Sequence, residues 1–278
     1  MRAESTMHVL LLTNAVAPDK LGGLERYVRE LAAQLVREGV QATVLARRLD
    51  ASQPLDEIGD DGVRIVRHHS PSKASPLFVA NYVAQTWRAG RRAIREHEPR
   101  IVHAHFPVSA LAPALGTCRY LYTFHAPVYR ELLSERHGSY MLPRGLQSAT
   151  VGTLRRAERL VVRRAARVVT LSEYMRGELR RLDAATADRA ALIPGGVDVG
   201  SFSPATSGRH AEGAPLLFCA RRLTPRTGVR ELLHAMPAVL AELPHARLAV
   251  AGTGVMETEL RRDVVRLQLE RSVSFLGR

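Results

Sequence analysis

Short apolar runs alternate with stretches of helical periodicity along nearly the whole chain, and this alternation restricts the fold more than any other feature. Residues 8–13, His-Val-Leu-Leu-Leu-Thr, form a continuous apolar run that ends in a Pro- and Gly-containing loop from Asn14 to Gly23. Such a run reads as a strand buried on both faces. Leu24, Val28, Leu31, Ala32, Leu35 and Val36 then recur at helical spacing, and Gly39 stops the helix. A second apolar run at 42–46 follows at once. Strand, helix and strand with short connections make a βαβ unit, whose strands run parallel and are joined by a right-handed crossover.

The pattern continues with strands at 63–66, 100–103, 120–124, 167–171 and 190–193, and helices at 76–96, 108–115, about 146–166 and 173–182. Residues 1–200 therefore read as one doubly wound α/β domain. Residues 201–214 are rich in Ser, Pro and Gly and poor in large apolar side chains, which marks a linker. From 215 to 278 the alternation resumes, with strands at 216–220, 246–251 and 273–276 and helices at 228–243 and 256–269. Three strands and two helices make a marginal core, so the second domain reads as incomplete.

Hydrophobic residues make up 46% and charged residues 24% of the 278, a balance that excludes a disordered or fibrous chain. Forty basic against 27 acidic residues leave a formal charge of +13, compatible with nucleic acid, an anionic membrane or phosphorylated ligands. The arginines are scattered through helices and not interleaved with aromatics, which argues against a nucleic-acid platform. No apolar run reaches the ~18 residues of a membrane span, and no signal core precedes the first strand, so a cytoplasmic protein is expected. Cys118 and Cys219 lack CxxC spacing, which argues against a disulfide framework or a zinc site, and both read as buried small residues. Arg88, Arg91, Arg92 and Arg95 share one helix with Trp87. They form either a solvated face or a peripheral contact with acidic lipid head groups at the inner face of a membrane.

Several residues sit where open α/β sheets place their ligands, at the carboxyl ends of strands. Gly22 and Gly23 precede the first helix, where free N–H groups and the helix dipole attract phosphate, or else they serve only a tight turn. They are not a GxGxxG fingerprint, because a longer loop separates them from the strand. His103 and His105 alternate at the end of one strand, roughly 7 Å apart by strand rise. They lack further ligands at suitable spacing, so no metal is expected. His125 directly follows the strand at 120–124, and Ser172 with Glu173 fits a helix N-cap. Arg221, Arg222 and Arg226 gather ahead of Gly228 and a helix, a set able to clamp a diphosphate through bidentate bonds. Gly252 and Gly254 end the next strand and look like a fragment of a dinucleotide turn. On that fragment alone a nucleotide-dependent oxidoreductase is a further reading.

Taken in order, these pieces resemble a family 4 glycosyltransferase of the GT-B fold, built from two Rossmann-like domains. The matching segments are Gly22-Gly23-Leu24-Glu25-Arg26-Tyr27-Val28, Tyr122-Thr123-Phe124-His125 and Thr170-Leu171-Ser172-Glu173. They continue with Ile193-Pro194-Gly195-Gly196-Val197-Asp198, Phe202-Ser203-Pro204, Arg222-Leu223 with Gly228, Ala251-Gly252-Thr253-Gly254 and Phe275-Leu276-Gly277. The resemblance implies transfer of a sugar from a nucleotide diphosphate sugar to a small-molecule, saccharide or lipid-linked acceptor, with retention of anomeric configuration and no cofactor. It places Gly22, Gly23, Arg221, Arg222, Arg226, Gly252 and Gly254 at the donor and His125 as the catalytic-side residue beside the transferred sugar. Thr227 stands where the family usually has a lysine, which leaves Arg221 or Arg226 to replace its charge, and Gly195 stands where the family has an asparagine. The resemblance also implies two donor-holding glutamates, eight positions apart, with no counterpart in this sequence. The expectation is therefore a fragment of a longer enzyme, a chain completed by a partner, or a non-catalytic remnant that keeps the acceptor side and half the donor site.

Overall fold

In the computed structural model the described residues are 7–20, 22–71, 77–129, 144–200 and 215–277, without the side chains of 144–150 and of Arg226. β1 (His8–Leu12) lies inside an eight-stranded sheet with β2 (Gln41–Arg47), β3 (Asp56–Ile58), β4 (Arg64–His68), β5 (Ile101–Ala104), β6 (Tyr120–Phe124), β7 (Arg167–Thr170) and β8 (Ala191–Leu192). The order is β3-β4-β2-β1-β5-β6-β7-β8, and every pair is parallel except β3 with β4. The apolar run of β1 has the expected cause. Leu10 and Leu12 join one core with Val102, Tyr122 and Phe124, while Val9 and Leu11 join another with Val28, Ala32 and Val44. Successive side chains of a strand point to opposite faces, so a sheet covered on both sides demands apolar residues at every position of its central strand.

The helices of this unit are α1 (Gly23–Arg37), α2 (Phe78–His97), α3 (Leu111–Ala114), α4 (Arg144–Arg164), α5 (Glu173–Leu182) and α6 (Ala184–Asp188). Past α1, Gly39 adopts φ +78°, and its N–H donates to the Val36 carbonyl at 2.9 Å while Val40 N–H reaches Leu35 at 2.9 Å. A residue with a β-carbon resists that left-handed conformation. Ser172 caps α5, its Oγ accepting from Met175 N–H at 3.2 Å. Asp183 caps α6 in the same way through Thr186 N–H at 3.1 Å.

The second unit carries β9 (Leu216–Ala220), α7 (Val229–Glu242), β10 (Arg247–Ala251), α8 (Glu257–Arg266) and β11 (Val273–Gly277). Its three parallel strands take the order β11-β10-β9. Leu248, Val250 and Val273 pack with Leu233 and Met236 of α7 and Leu260 and Val264 of α8. Internal contacts divide the chain into compact units of Met1–Gly196 and Val197–Arg278.

Three features depart from the sequence expectation. β3 was not expected, because its three residues Asp-Glu-Ile are polar at two positions and lie at a sheet edge, where no buried face imposes a pattern. α6 was not expected either, since its Ala-Ala-Thr-Ala-Asp stretch is too short to show helical periodicity. Cys118 and Cys219 are half-buried, not buried, because one sits in the turn before β6 and the other on an edge strand. The linker expected at 201–214 lies outside the described residues.

Candidate functional site

The polypeptide between β1 and α1 is tied down at several points before it reaches the glycine pair. Thr13 Oγ donates to the Ala15 carbonyl at 3.1 Å, and Tyr82 of α2 donates its hydroxyl proton to Asn14 Oδ1 at 2.7 Å. Arg67 of β4, buried, holds Asp19 through two bonds of 2.6 and 2.9 Å, and the same guanidinium reaches Glu57 of β3 at 2.5 Å and the Pro54 carbonyl at 3.1 Å. Lys20 pairs with the buried Glu25 at 2.7 Å. Gly22 is the N-cap of α1 without a side-chain cap. A β-carbon there would lie 2.1 Å from Glu25 Oε2, so the Lys20–Glu25 pair occupies the space over Gly22. At Gly23 a β-carbon would meet nothing within 4 Å. The space over Gly22 is thus taken by the Glu25 carboxylate, whereas Gly23 opens onto free space at a helix N-terminus whose N–H groups favour anions.

One turn further along α1, Tyr27 stands over a group of histidines at the carboxyl ends of β5 and β6. Its ring centroid is 5.0 Å from that of His125 and 5.9 Å from that of His105. His105 Nδ1 and His125 Nε2 are hydrogen-bonded at 3.1 Å, and His103 Nε2 is bonded to Thr123 Oγ1 at 2.8 Å. The His103 and His105 rings approach to 4.1 Å between centroids, closer than the strand rise suggested, because His105 lies just past the end of β5 and its ring turns toward its neighbour. His105 is 1% exposed, and its Nε2 is buried without a hydrogen-bond partner.

Burial decides the charge of this group. Desolvation lowers the pKa of His103 and of His125 to about 4, with the neighbouring His125 adding to the effect at His103. Complete burial and the two adjacent imidazoles push His105 well below its ordinary value. The Tyr27 hydroxyl is raised by burial, partly opposed by its hydrogen bond with Thr123. All three imidazoles are neutral at pH 7, so they orient polar groups through hydrogen bonds and contribute no positive charge. In the His105–His125 bond one nitrogen carries the proton and the other accepts it, which links the tautomers of the two rings.

In the second unit, Arg221 and Arg222 leave β9 exposed, and neither makes an ion pair among the described residues. Arg230, nearby in sequence, is by contrast committed to Glu259 at 2.6 Å and Asp263 at 2.9 Å. Between them and α7 the chain buries Leu223, makes a short 3-10 turn at Pro225–Thr227, and enters the helix through Gly228 at φ +73°. The Arg226 side chain lies outside the described residues. Gly252, at φ +137°, would place a β-carbon 2.0 Å from the Arg221 carbonyl oxygen, and one on Gly254 would lie 2.3 Å from that of Leu223. Arg221 N–H donates to Ala251 at 2.9 Å and Leu223 N–H to Thr253 at 3.0 Å. The two loops are thus backbone against backbone, which is sufficient reason for both glycines.

Of the residues singled out from sequence, His103, His105 and His125 come together. Tyr27 and Thr123 complete that group but were missed as members. Tyr27 carries the one usable signal, its place one helical turn after Gly23. Among the described residues no cluster of His, Cys, Asp or Glu is suited to a metal ion, and no helix is long and apolar enough to cross a membrane.

Comparison with known proteins bears on the family and the fold. Residues 21–201 match the model of Glycosyltransferase Family 4. A GDP-mannose-dependent monoacylated alpha-(1-6)-phosphatidylinositol monomannoside mannosyltransferase of Corynebacterium glutamicum is 28% identical over 97% of this chain and 66% of its own length. A D-inositol 3-phosphate glycosyltransferase of Kineococcus radiotolerans is 30% identical over 97% of this chain and 67% of its own. The chain spans about two thirds of the length of these curated relatives. Among solved structures, sucrose-phosphate synthase from Thermosynechococcus elongatus matches 98% of this chain and 70% of its own with a TM-score of 0.72 at 18% identity, a likeness of fold. The α/β fold is of the GT-B type, with two Rossmann-like units, and the chain belongs to glycosyltransferase family 4.

Proposed function

We propose that this protein transfers a sugar from a nucleotide diphosphate sugar to an acceptor hydroxyl, with retention of anomeric configuration. The observation that carries this reading is the neutral histidine group at the carboxyl ends of β5 and β6, packed under Tyr27 one turn from the open Gly23. A neutral His125 suits hydrogen bonding to a sugar hydroxyl, not neutralisation of phosphate. In this reading Arg221, Arg222 and Arg226 of the second unit supply the charge that stabilises a leaving diphosphate. Gly23, within the first unit, is read as an anion-facing turn at the N-terminus of α1. Gly252 and Gly254 serve the same end indirectly, by letting the backbone carrying Arg221 and Leu223 run against the neighbouring loop. The acceptor is a small molecule, a saccharide or a lipid-linked sugar, and the protein works at the cytoplasmic side, with peripheral attachment to the membrane where the acceptor is a lipid. No cofactor beyond the donor nucleotide is required.

The test is a transfer assay with GDP-mannose and other nucleotide sugars, run beside nucleotide-binding measurements. Arg222→Ala is expected to weaken nucleotide binding at least tenfold, the scale of about 1.5 to 3 kcal/mol for a charge-assisted bond. His125→Ala is expected to slow transfer and leave nucleotide affinity nearly intact. Gly23→Ala, which meets no protein atom, is expected to keep stability and lose donor affinity. Nucleotide binding without transfer to any acceptor selects the non-catalytic reading, and unchanged affinity in Arg222→Ala removes that arginine from the donor site.

A further inference from the structure

The outward face of α2 is used by neither the histidine group nor the glycine turn, and it is apolar over its first half and basic over its second. Leu77, Val79, Val83 and Trp87 join Leu111 and Leu115 around an open groove of about 730 Å3. Leu77, Val79 and Leu115 are 63%, 69% and 58% exposed. The stripe they begin does not end at Trp87. At the helical period, positions 84, 87, 91 and 95 follow one another along the same side. Arg88, Arg91, Arg92 and Arg95 are all exposed there. The Arg91 guanidinium stacks over the Trp87 ring at 5.1 Å, which joins the two halves.

The charge of this region is one-sided. From Gly62 to Arg95 the sequence contains no Asp or Glu. The first acid afterwards, Glu96, is held by Arg92 at 2.7 Å, and Arg88, Arg91 and Arg95 make no ion pair among the described residues. A second copy of the chain on this face would bring cationic stripes together without an anion between them, which disfavours self-association. An apolar groove continued by unpaired arginines matches instead the boundary of an anionic bilayer, where acyl chains lie beneath a layer of phosphates.

We infer that the α2–α3 face docks this protein on an anionic lipid surface, with Val79, Val83 and Trp87 entering the acyl boundary and Arg88, Arg91 and Arg95 binding lipid phosphates. The inference stands on this unit alone and does not depend on the sugar-transfer reading. Trp87 is the sole tryptophan of the chain, and its indole nitrogen is buried without a hydrogen-bond partner. It is therefore a reporter already in place.

The experiment is Trp87 fluorescence of the full chain titrated with phosphatidylcholine vesicles, with and without phosphatidylglycerol, and with brominated acyl chains as quenchers. The expected result is a blue shift and quenching with the anionic vesicles alone, weakened by salt. Replacing Arg88, Arg91 and Arg95 together by Ser is expected to lower partitioning about a hundredfold, from roughly fivefold per basic residue at a charged surface. Val79→Asp, at an exposed position in the first turn of α2, is expected to reduce it as well while the thermal unfolding midpoint stays in place. Absence of quenching, equal binding to zwitterionic vesicles, or undiminished partitioning of the triple variant overturns the inference. So does a Trp87 shift that appears with protein concentration in the absence of lipid, which identifies a second copy as the occupant.

Discussion

The two units of this protein bury their sheets differently. In the first unit the side chains of β1 divide between two separate cores, one on each face. In the second, α7 and α8 pack on the face of Leu248 and Val250, while Leu216, Phe218 and Leu276 are 68%, 64% and 59% exposed. The candidate residues follow the same division. His103, His105 and His125 sit inside packing that removes their charge and gives each a hydrogen-bond partner. Arg221 and Arg222 are exposed, placed by their backbone, with Leu223 buried next to them in the chain, Gly252 against the Arg221 carbonyl and Gly254 against that of Leu223. The contrast suits the chemistry expected of each. A hydrogen-bonding group gains from a rigid, dry environment, whereas cations that meet a diphosphate must remain charged and accessible.

The largest effect that would break this comparison concerns the buried ion group of the first unit. Arg67→Ala leaves Asp19 buried without its partner and is expected to cost about 3 to 5 kcal/mol, read as a drop in the urea midpoint. A loss below ~1 kcal/mol would mean that the loop ahead of Gly22 is held by other contacts. Next comes Leu248→Ala on the covered face of the second sheet, expected to cost about 2 to 4 kcal/mol. Hydrogen exchange should place that loss in residues of the second unit and leave β1 protected.

The histidine group gives a pH dependence with a definite sign. His103 and His125 titrate near 4 in the folded protein, below the ordinary value of 6.5 that applies when the chain unfolds. The unfolded state therefore takes up protons first on acidification. Stability is level above pH ~6.5 and falls by a few kcal/mol as the pH drops toward 4, each histidine contributing a slope of at most about 1.4 kcal/mol per pH unit. His103→Gln should flatten this fall, and denaturation curves at several pH values would reveal an unchanged slope if burial of the ring were not its cause. The smallest expected effect is that of Phe218→Thr on the open face of β9, within about 0.5 kcal/mol. A cost above ~1.5 kcal/mol would show that this face is packed, and the comparison between the units would fail.

Sequence reading served best where burial imposes a period. β1, β6 and β9 were expected at 8–13, 120–124 and 216–220 and occur as His8–Leu12, Tyr120–Phe124 and Leu216–Ala220. Long helices ended within a few residues of expectation, and the Ser172 cap was legible because its side chain acts on its own backbone. β3 and α6 were not legible, being too short and too polar to carry a pattern. Gly252 and Gly254 were read as a nucleotide-turn fragment. Their need to be glycine comes from carbonyls of Arg221 and Leu223, some 30 residues away in sequence, a distance that no local motif records.

The order of strands and helices, the parallel sheets, and the membership in glycosyltransferase family 4 were determined by the sequence itself, because periodicity and local motifs are properties of neighbouring residues. Tertiary structure alone decided that three histidines from β5, β6 and their exits form one neutral group under Tyr27. It also decided that Gly23 faces open space while Gly22 does not, and that the arginines of α2 continue an apolar groove. Each of these depends on burial and on distances between segments far apart in the chain. Desolvation, steric room and charge acquire their values only when the chain has packed.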